Sequence, residues 1–169
     1  MNVAWTGHRP EYFARPAEVA AQVGTIAAQL QAEHGAALRF HCGGQRGVDT
    51  WAAEAAARLG IPLSLYLPLP IERFAADWEP LDVDALRRSW AYATARVVVD
   101  RLGRRGAAAY SQRNALLAEC GDLLIAVWTG LSGGGTAETI AAARELGRPV
   151  REYRVEGAGR RPARGERGV

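Results

Sequence analysis

The chain has 169 residues, the length of about one domain with a substantial core. Its 21 basic residues are all arginine, which excludes Walker-type phosphate loops, Schiff-base chemistry and lysine general bases. The net charge of +3 resides entirely in residues 157–169, where Arg160, Arg161, Arg164 and Arg167 face only Glu166, so the body is neutral and nucleic acid is not its expected partner.

No apolar run approaches the roughly 20 residues of a membrane helix, and the start lacks a basic segment followed by an apolar one, so a cytoplasmic protein without membrane contact is expected. Cys42 and Cys120 have no CxxC spacing, and His8, His34 and His41 lack ligand-like spacing. Neither a disulfide framework nor a metal site is indicated, and no cofactor is called for. Association into homo-oligomers is left open.

In chain order, a first strand at 2–5 runs into the loop Thr6-Gly7-His8-Arg9-Pro10. Val19, Val23, Ile26 and Leu30 then recur at helical spacing, between Pro16 in a first turn and Gly35 as a stop. A strand at 38–42 leads through Gly43-Gly44-Gln45-Arg46-Gly47 into a helix beginning near Val48-Asp49-Thr50 and ending at Gly60. After a strand at 63–67, Pro68, Pro70 and Pro80 surround a short helical segment at 71–77, and Val83, Leu86, Trp90 and Ala93 mark a helix capped by Asp82. Trp78 and Trp90 are assigned to the core. A strand at 96–100 and an arginine-rich loop precede a helix that opens around Tyr110-Ser111-Gln112-Arg113-Asn114. The apolar strand 123–128 enters Ser132-Gly133-Gly134-Gly135-Thr136-Ala137-Glu138, which opens a helix ending at Gly147; the last strand is 150–155. The domain is placed at 1–155, and 156–169 read as a disordered Arg/Gly-rich tail without apolar residues to bury.

This β-α-β grammar predicts an α/β fold: a doubly wound, mainly parallel sheet with helices on both faces. Its ligand belongs outside the carboxyl ends of the strands, where neighbouring loops diverge. The glycine turn at 132–136 carries the strongest signal. Residues without Cβ let backbone close around an anion, and the first free N–H groups of a helix point at it. The loops at Thr6, Gly7, His8 and Arg9, at Gly43, Gly44, Arg46 and Gly47, at Arg113 and Asn114, and at Ser132, Gly133, Gly134, Gly135 and Thr136 are expected to face one phosphate-bearing ligand, with guanidinium forks among its holders.

Four of these motifs in order resemble the SLOG superfamily, named for its DNA-processing-protein and Lonely-guy members, over nearly all of residues 2–153. Thr6-Gly7-His8-Arg9-Pro10, Gly43-Gly44-Gln45-Arg46-Gly47-Val48-Asp49, Tyr110-Ser111-Gln112-Arg113-Asn114 and Ser132-Gly133-Gly134-Gly135-Thr136 are similar to small stand-alone bacterial members. The resemblance implies a Rossmann-like domain for a nucleotide or nucleotide-derived ligand. Lonely-guy enzymes carry a proline-glycine-glycine-x-glycine-threonine-x-x-glutamate motif; here Leu131 replaces the proline, Ser132 the first glycine, and Thr139 the glutamate, with Glu138 one residue early. On a helix that offset turns the carboxylate by about 100°.

Three functions follow as expectations. The first is binding, as a sensor, of a nucleotide-derived small molecule such as an ADP-ribose-like compound. The second is N-glycosidic hydrolysis of a nucleoside monophosphate or related compound, with Glu138 or Asp49 as the catalytic carboxylate, although both residues also read as acids favoured at a helix start. The third is single-stranded DNA binding, which the neutral body and the lack of an aromatic stripe count against.

Overall fold

The structure, a computed structural model, describes residues 1–159. Strands β1 (Asn2–Gly7), β2 (Arg39–Cys42), β3 (Leu63–Leu67), β4 (Ala95–Val98), β5 (Leu123–Trp128) and β6 (Val150–Arg154) form a sheet in the order β4-β3-β2-β1-β5-β6. Helices α1 (Pro16–His34), α2 (Val48–Leu59), α3 (Ile71–Phe74), α4 (Pro80–Tyr92), α5 (Ala107–Cys120) and α6 (Gly135–Glu145) connect them. The architecture is the expected α/β Rossmann-like one, and every strand pairing is parallel.

Side chains alternate across the sheet and so build two cores. Val3, Trp5, Phe40, Leu63, Leu65, Ile125 and Val127 pack with α1 and α2, whereas Ala4, Leu124, Ala126 and Trp128 pack with Ala118 of α5 and Ile140 and Ala143 of α6. All six β5 residues are buried, which is why this central strand reads as an unbroken apolar run. Trp5 meets Phe40 edge-on, with ring centroids 5.1 Å apart at 62°. Such a pair adds about 0.5–1.5 kcal/mol to the gain from burial alone.

The chain lays β2, β3 and β4 to one side of β1, then returns to place β5 and β6 on the other. Strand order therefore reverses between β1 and β5, the place where loops leaving the carboxyl ends of an open α/β sheet diverge. Several expected boundaries shift. Helix α4 begins at Pro80 with Glu79 before it, so Asp82 stands in the first turn and does not cap. Glu156 to Ala158, expected to begin the tail, instead bind back: Glu156 O accepts from Ala14 N at 3.1 Å, Gly157 bridges Phe13, and Ala158 N donates to Tyr12 O at 3.0 Å. The rest of the expected tail, 160–169, lies outside the described residues. No helix among the described residues is long and apolar enough to cross a membrane.

Under α5, a polar chain interrupts the apolar packing. Tyr66 Oη lies 3.1 Å from His41 Nδ1 and 3.4 Å from Cys120 Sγ, while His41 Nε2 lies 3.2 Å from Asn2 Oδ1. Asn2 Oδ1 only accepts, so the neutral imidazole keeps its proton on Nε2. Burial pushes the His41 pKa below its ordinary 6.5, partly opposed by the nearby Asp122 carboxylate and reinforced by Arg39. The unfolded chain protonates more readily, so His41's contribution to stability is complete above pH 6.5 and is lost as pH falls below it. In urea unfolding at pH 7.5 and 5.5, wild type should lose more stability than His41→Asn, by at most about 1.4 kcal/mol per pH unit. Equal losses would assign the titration to another group.

Candidate functional site

The β1 loop joins its neighbours through backbone and one ring. His8 N donates to Val127 O at 3.3 Å, and Val48 N donates to His8 O at 3.4 Å, tying the β1 end to β5 and to the start of α2. A Cβ on Gly47, whose φ is +88°, would approach His8 O to 2.5 Å, so this contact requires glycine. Thr129 N donates to His8 Nδ1 at 3.4 Å, and the Thr129 hydroxyl lies 3.2 Å from the same nitrogen. The His8 proton consequently sits on Nε2, and burial with the neighbouring Arg9 lowers the ring's pKa. Thr6 is buried within β1 beside Ala126, beneath the loop cluster.

Between the β2 turn and α6 runs a chain of side chains. Arg113, 6% exposed, donates through Nη1 to Gly43 O, faces Asp49 Oδ2 at 3.7 Å, and donates through Nε to Asn114 Oδ1 at 2.9 Å. Asn114 Nδ2 in turn donates to Glu138 Oε2 at 3.2 Å. Asp49 also accepts from Gln45 N at 3.3 Å. Burial raises the Asp49 pKa to about 6 despite the Arg113 charge and backbone N–H bonds that pull it down. This group acts oppositely to His41: its stabilising contribution is present below the unfolded value of 3.8 and is lost as pH rises through about 6.

Asp49 and Arg113, expected as a reactive carboxylate and a phosphate ligand, are buried against each other. The Nη2 of Arg113 has no protein partner among the described residues. Arg46 is also committed elsewhere. It pairs with Glu11 at 3.3 Å and Asp82 at 3.5 Å, with its guanidinium 5.7 Å from the Trp78 ring centroid. Arg9 pairs with Glu11 at 3.2 Å.

The two glycine turns also differ in purpose. A Cβ on Gly44 would strike Leu67 Cδ2 at 2.5 Å, and one on Gly43 would come within 2.7 Å of Asp49 Oδ2, so packing explains the β2 turn. Gly133 and Gly134, at φ +88° and +81°, would meet nothing within 4 Å. Their backbone conformation leads into α6, where Glu138 N is bonded back to Gly134 O at 3.1 Å. The N–H groups of Gly135, Thr136 and Ala137 are left at the open end of the helix. Thr136 is buried, whereas Ser132 and Glu138 are exposed. Gly135 lies against Asn114, whose Nδ2 would be 3.1 Å from an added Cβ.

Thr129 and Gln45 were not singled out from sequence. The Thr129 role depends on a contact 121 residues away, for which no local pattern exists. Gln45 shapes its turn by accepting Arg46 N at 2.9 Å and, through its carbonyl, the Thr50 hydroxyl at 2.8 Å. A depression of about 300 Å³ lies apart from this cluster, between α2 and α4, beside the ion pair Glu54–Arg88.

No protein-family model matches the chain, and no curated protein matches it. Among solved structures, DNA processing protein A from Streptococcus pneumoniae aligns with a TM-score of 0.69 at 20% identity, over 89% of this chain and 49% of that one. DNA processing protein A from Helicobacter pylori, described for its single-stranded DNA binding mode, aligns with a TM-score of 0.63 at 17% identity, over 90% and 64%. TM1055, a structural-genomics target, gives 0.57 at 20% identity, over 88% and 71%. The chain thus spans about half of the pneumococcal protein. At these identities the likeness is one of fold.

In urea unfolding, wild type should lose stability as pH rises from about 4 through 6 because Asp49 ionises less readily when buried, and Asp49→Asn should lack that part of the loss. An unchanged pH dependence in a folded Asp49→Asn would assign the titration to another group.

Proposed function

We propose that the protein binds a nucleotide or nucleotide-derived small molecule in the crevice between β1 and β5, with a phosphate on the turn formed by Ser132, Gly133, Gly134, Gly135 and Thr136. One observation carries this reading: Gly133 and Gly134 hold left-handed backbone in open space where no packing requires it. An anion gives that shape a purpose, since three N–H groups and the positive end of α6 converge there. Arg113 Nη2 supplies the remaining donor from across the crevice. A guanidinium whose Nη1 and Nε are already held by Gly43 and Asn114 needs little reorganisation to donate through Nη2 to a phosphate.

Hydrolysis of an N-glycosidic bond is the second reading, favoured by the exposed Glu138 carboxylate that Asn114 holds. Asp49 is the weaker candidate because it is buried against Arg113. Single-stranded DNA, bound by the Helicobacter protein according to its description, is the competing partner. The neutral body favours the small ligand over a polyanion.

Calorimetric titration with nucleoside monophosphates, ADP-ribose and an oligodeoxythymidylate tests the choice. A small nucleotide should bind, and Gly134→Ala should weaken it about tenfold or more, because a Cβ at that φ adds about 1–3 kcal/mol of strain. Binding of the oligonucleotide alone would overturn the proposal. Chromatography of the incubated ligand then separates sensor from hydrolase: release of free base by wild type and not by Glu138→Gln would make the protein an enzyme, with a loss of about two to four powers of ten in turnover.

A further inference from the structure

Resting on the nucleotide reading above, we infer that the protein takes up a proton when it binds its anionic ligand, and that Asp49 is the group that receives it. The inference starts from how few charges share the buried cluster. Asp49 of α2 and Arg113 of α5 are both buried and face each other at 3.7 Å, too far for a hydrogen bond, so charge alone holds the pair. Nη1, the nitrogen nearest Asp49, donates instead to Gly43 O, and Nε donates to Asn114 Oδ1. Asp49 Oδ2 accepts from Gln45 N at 3.3 Å, a long contact for a charged acceptor. The groups set against this carboxylate are Arg113 from α5, the Cys42 thiol from the end of β2, and backbone N–H groups of Gly43 and Gln45 in the turn. Its neighbours within α2, Val48 and Thr50, carry no charge. Cys42 stays neutral, because burial and the Asp49 charge both push its thiol up. Arg113 therefore keeps Asp49 ionised, against a burial that has already raised it to about 6.

An anion on Arg113 Nη2 sets a second negative charge on the same guanidinium. One cation then serves two anions less than about 10 Å apart, a separation over which buried charges are little screened by salt. Like charge disfavours the ionised form of the group that can shed it. Asp49 can, because a protonated carboxyl still offers an oxygen to the Gln45 N–H and keeps its place in the cluster. Its titration therefore moves up when the ligand binds. The linkage sign follows: between the free value of about 6 and the higher bound value, affinity falls as pH rises, by up to about tenfold per pH unit, and it is level on either side. Asp49 thus tunes the site through Arg113 without touching the ligand, and an anion is held more tightly in mildly acid solution.

A phosphate monoester itself titrates near about 6, so the probes are ADP-ribose, whose phosphates carry no such proton, and inorganic sulfate. Calorimetric titration of the full chain at about pH 7 in two buffers of different ionisation enthalpy counts the protons exchanged, and affinities at about pH 6 and 8 give the slope. Wild type should take up about half a proton or more and bind roughly tenfold more tightly at the lower pH. Asp49→Asn, which is neutral and of the same size, should take up none, bind equally at the two pH values, and match at the higher one the affinity that wild type reaches at the lower. Unfolding midpoints measured in parallel identify a variant that has lost its fold; the wild-type proton count stands without any variant. Binding without proton uptake overturns the inference and leaves the nucleotide reading intact. Uptake that persists in a folded Asp49→Asn does the same, by assigning the proton to another group such as His8. Absence of binding by both probes overturns the phosphate site and this inference with it.

Discussion

A guanidinium enters a protein interior only when its charge and its donors are matched, and Arg113 meets that condition by drawing on three elements. Gly43 of the β2 turn supplies a carbonyl, Asp49 of α2 the counter-charge, and Asn114 of α5 an amide that reaches α6. Removing any partner exposes the others to the desolvation cost of burial. The distances across the crevice are consequently not free to drift, and the two strand-end turns on either side of β1 keep a fixed separation. Asp49, pushed up to about 6 by burial, shows that the clamp holds its charges at a cost.

The absence of lysine shapes the electrostatics of the crevice. Arg9 and Arg46 lie near its rim, yet Glu11 and Asp82 take up their charges. The open end of α6 adds fixed backbone dipoles, while Arg101 and Arg104, in the loop between β4 and α5, have no carboxylate partner among the described residues. Fixed backbone dipoles of this kind attract a single anionic group at short range and provide little of the long-range field that gathers polyanions.

The strand and helix pattern was legible because β5 is buried on both faces and α1 and α2 repeat their apolar residues at helical spacing. The four loops were placed at one sheet edge by the same logic, since parallel strands put successive carboxyl ends together. What sequence could not convey was the direction of side chains within that cluster. Glycine in the β2 turn serves close packing against Leu67 and Asp49, whereas glycine in the β5 turn serves backbone shape in open space, and the letters are identical. Arg46 and Arg113 likewise read alike until their partners, contributed by Asp82 and Asp49, are seen. The Asp82 cap failed because Pro80 at the first helical position already sets the start of α4. The residues from Glu156 to Ala158 looked unsupported because their partners lie some 140 positions upstream in a loop with no pairing signature.

The ties that shape the crevice are long in sequence: Arg113 reaches back 70 residues to Gly43, and Thr129 reaches back 121 to His8. Contacts of such separation pay their loop-closure entropy late, after the helices and their local packing have formed. During refolding, then, helical content should precede the assembled crevice. A ligand that recognises the crevice has little to grip in a partly folded chain, so it draws the last equilibrium toward the native state without accelerating the earlier ones. Ligand affinity would serve as a clock for the completion of folding, sensitive to a stage that the recovery of secondary structure does not report.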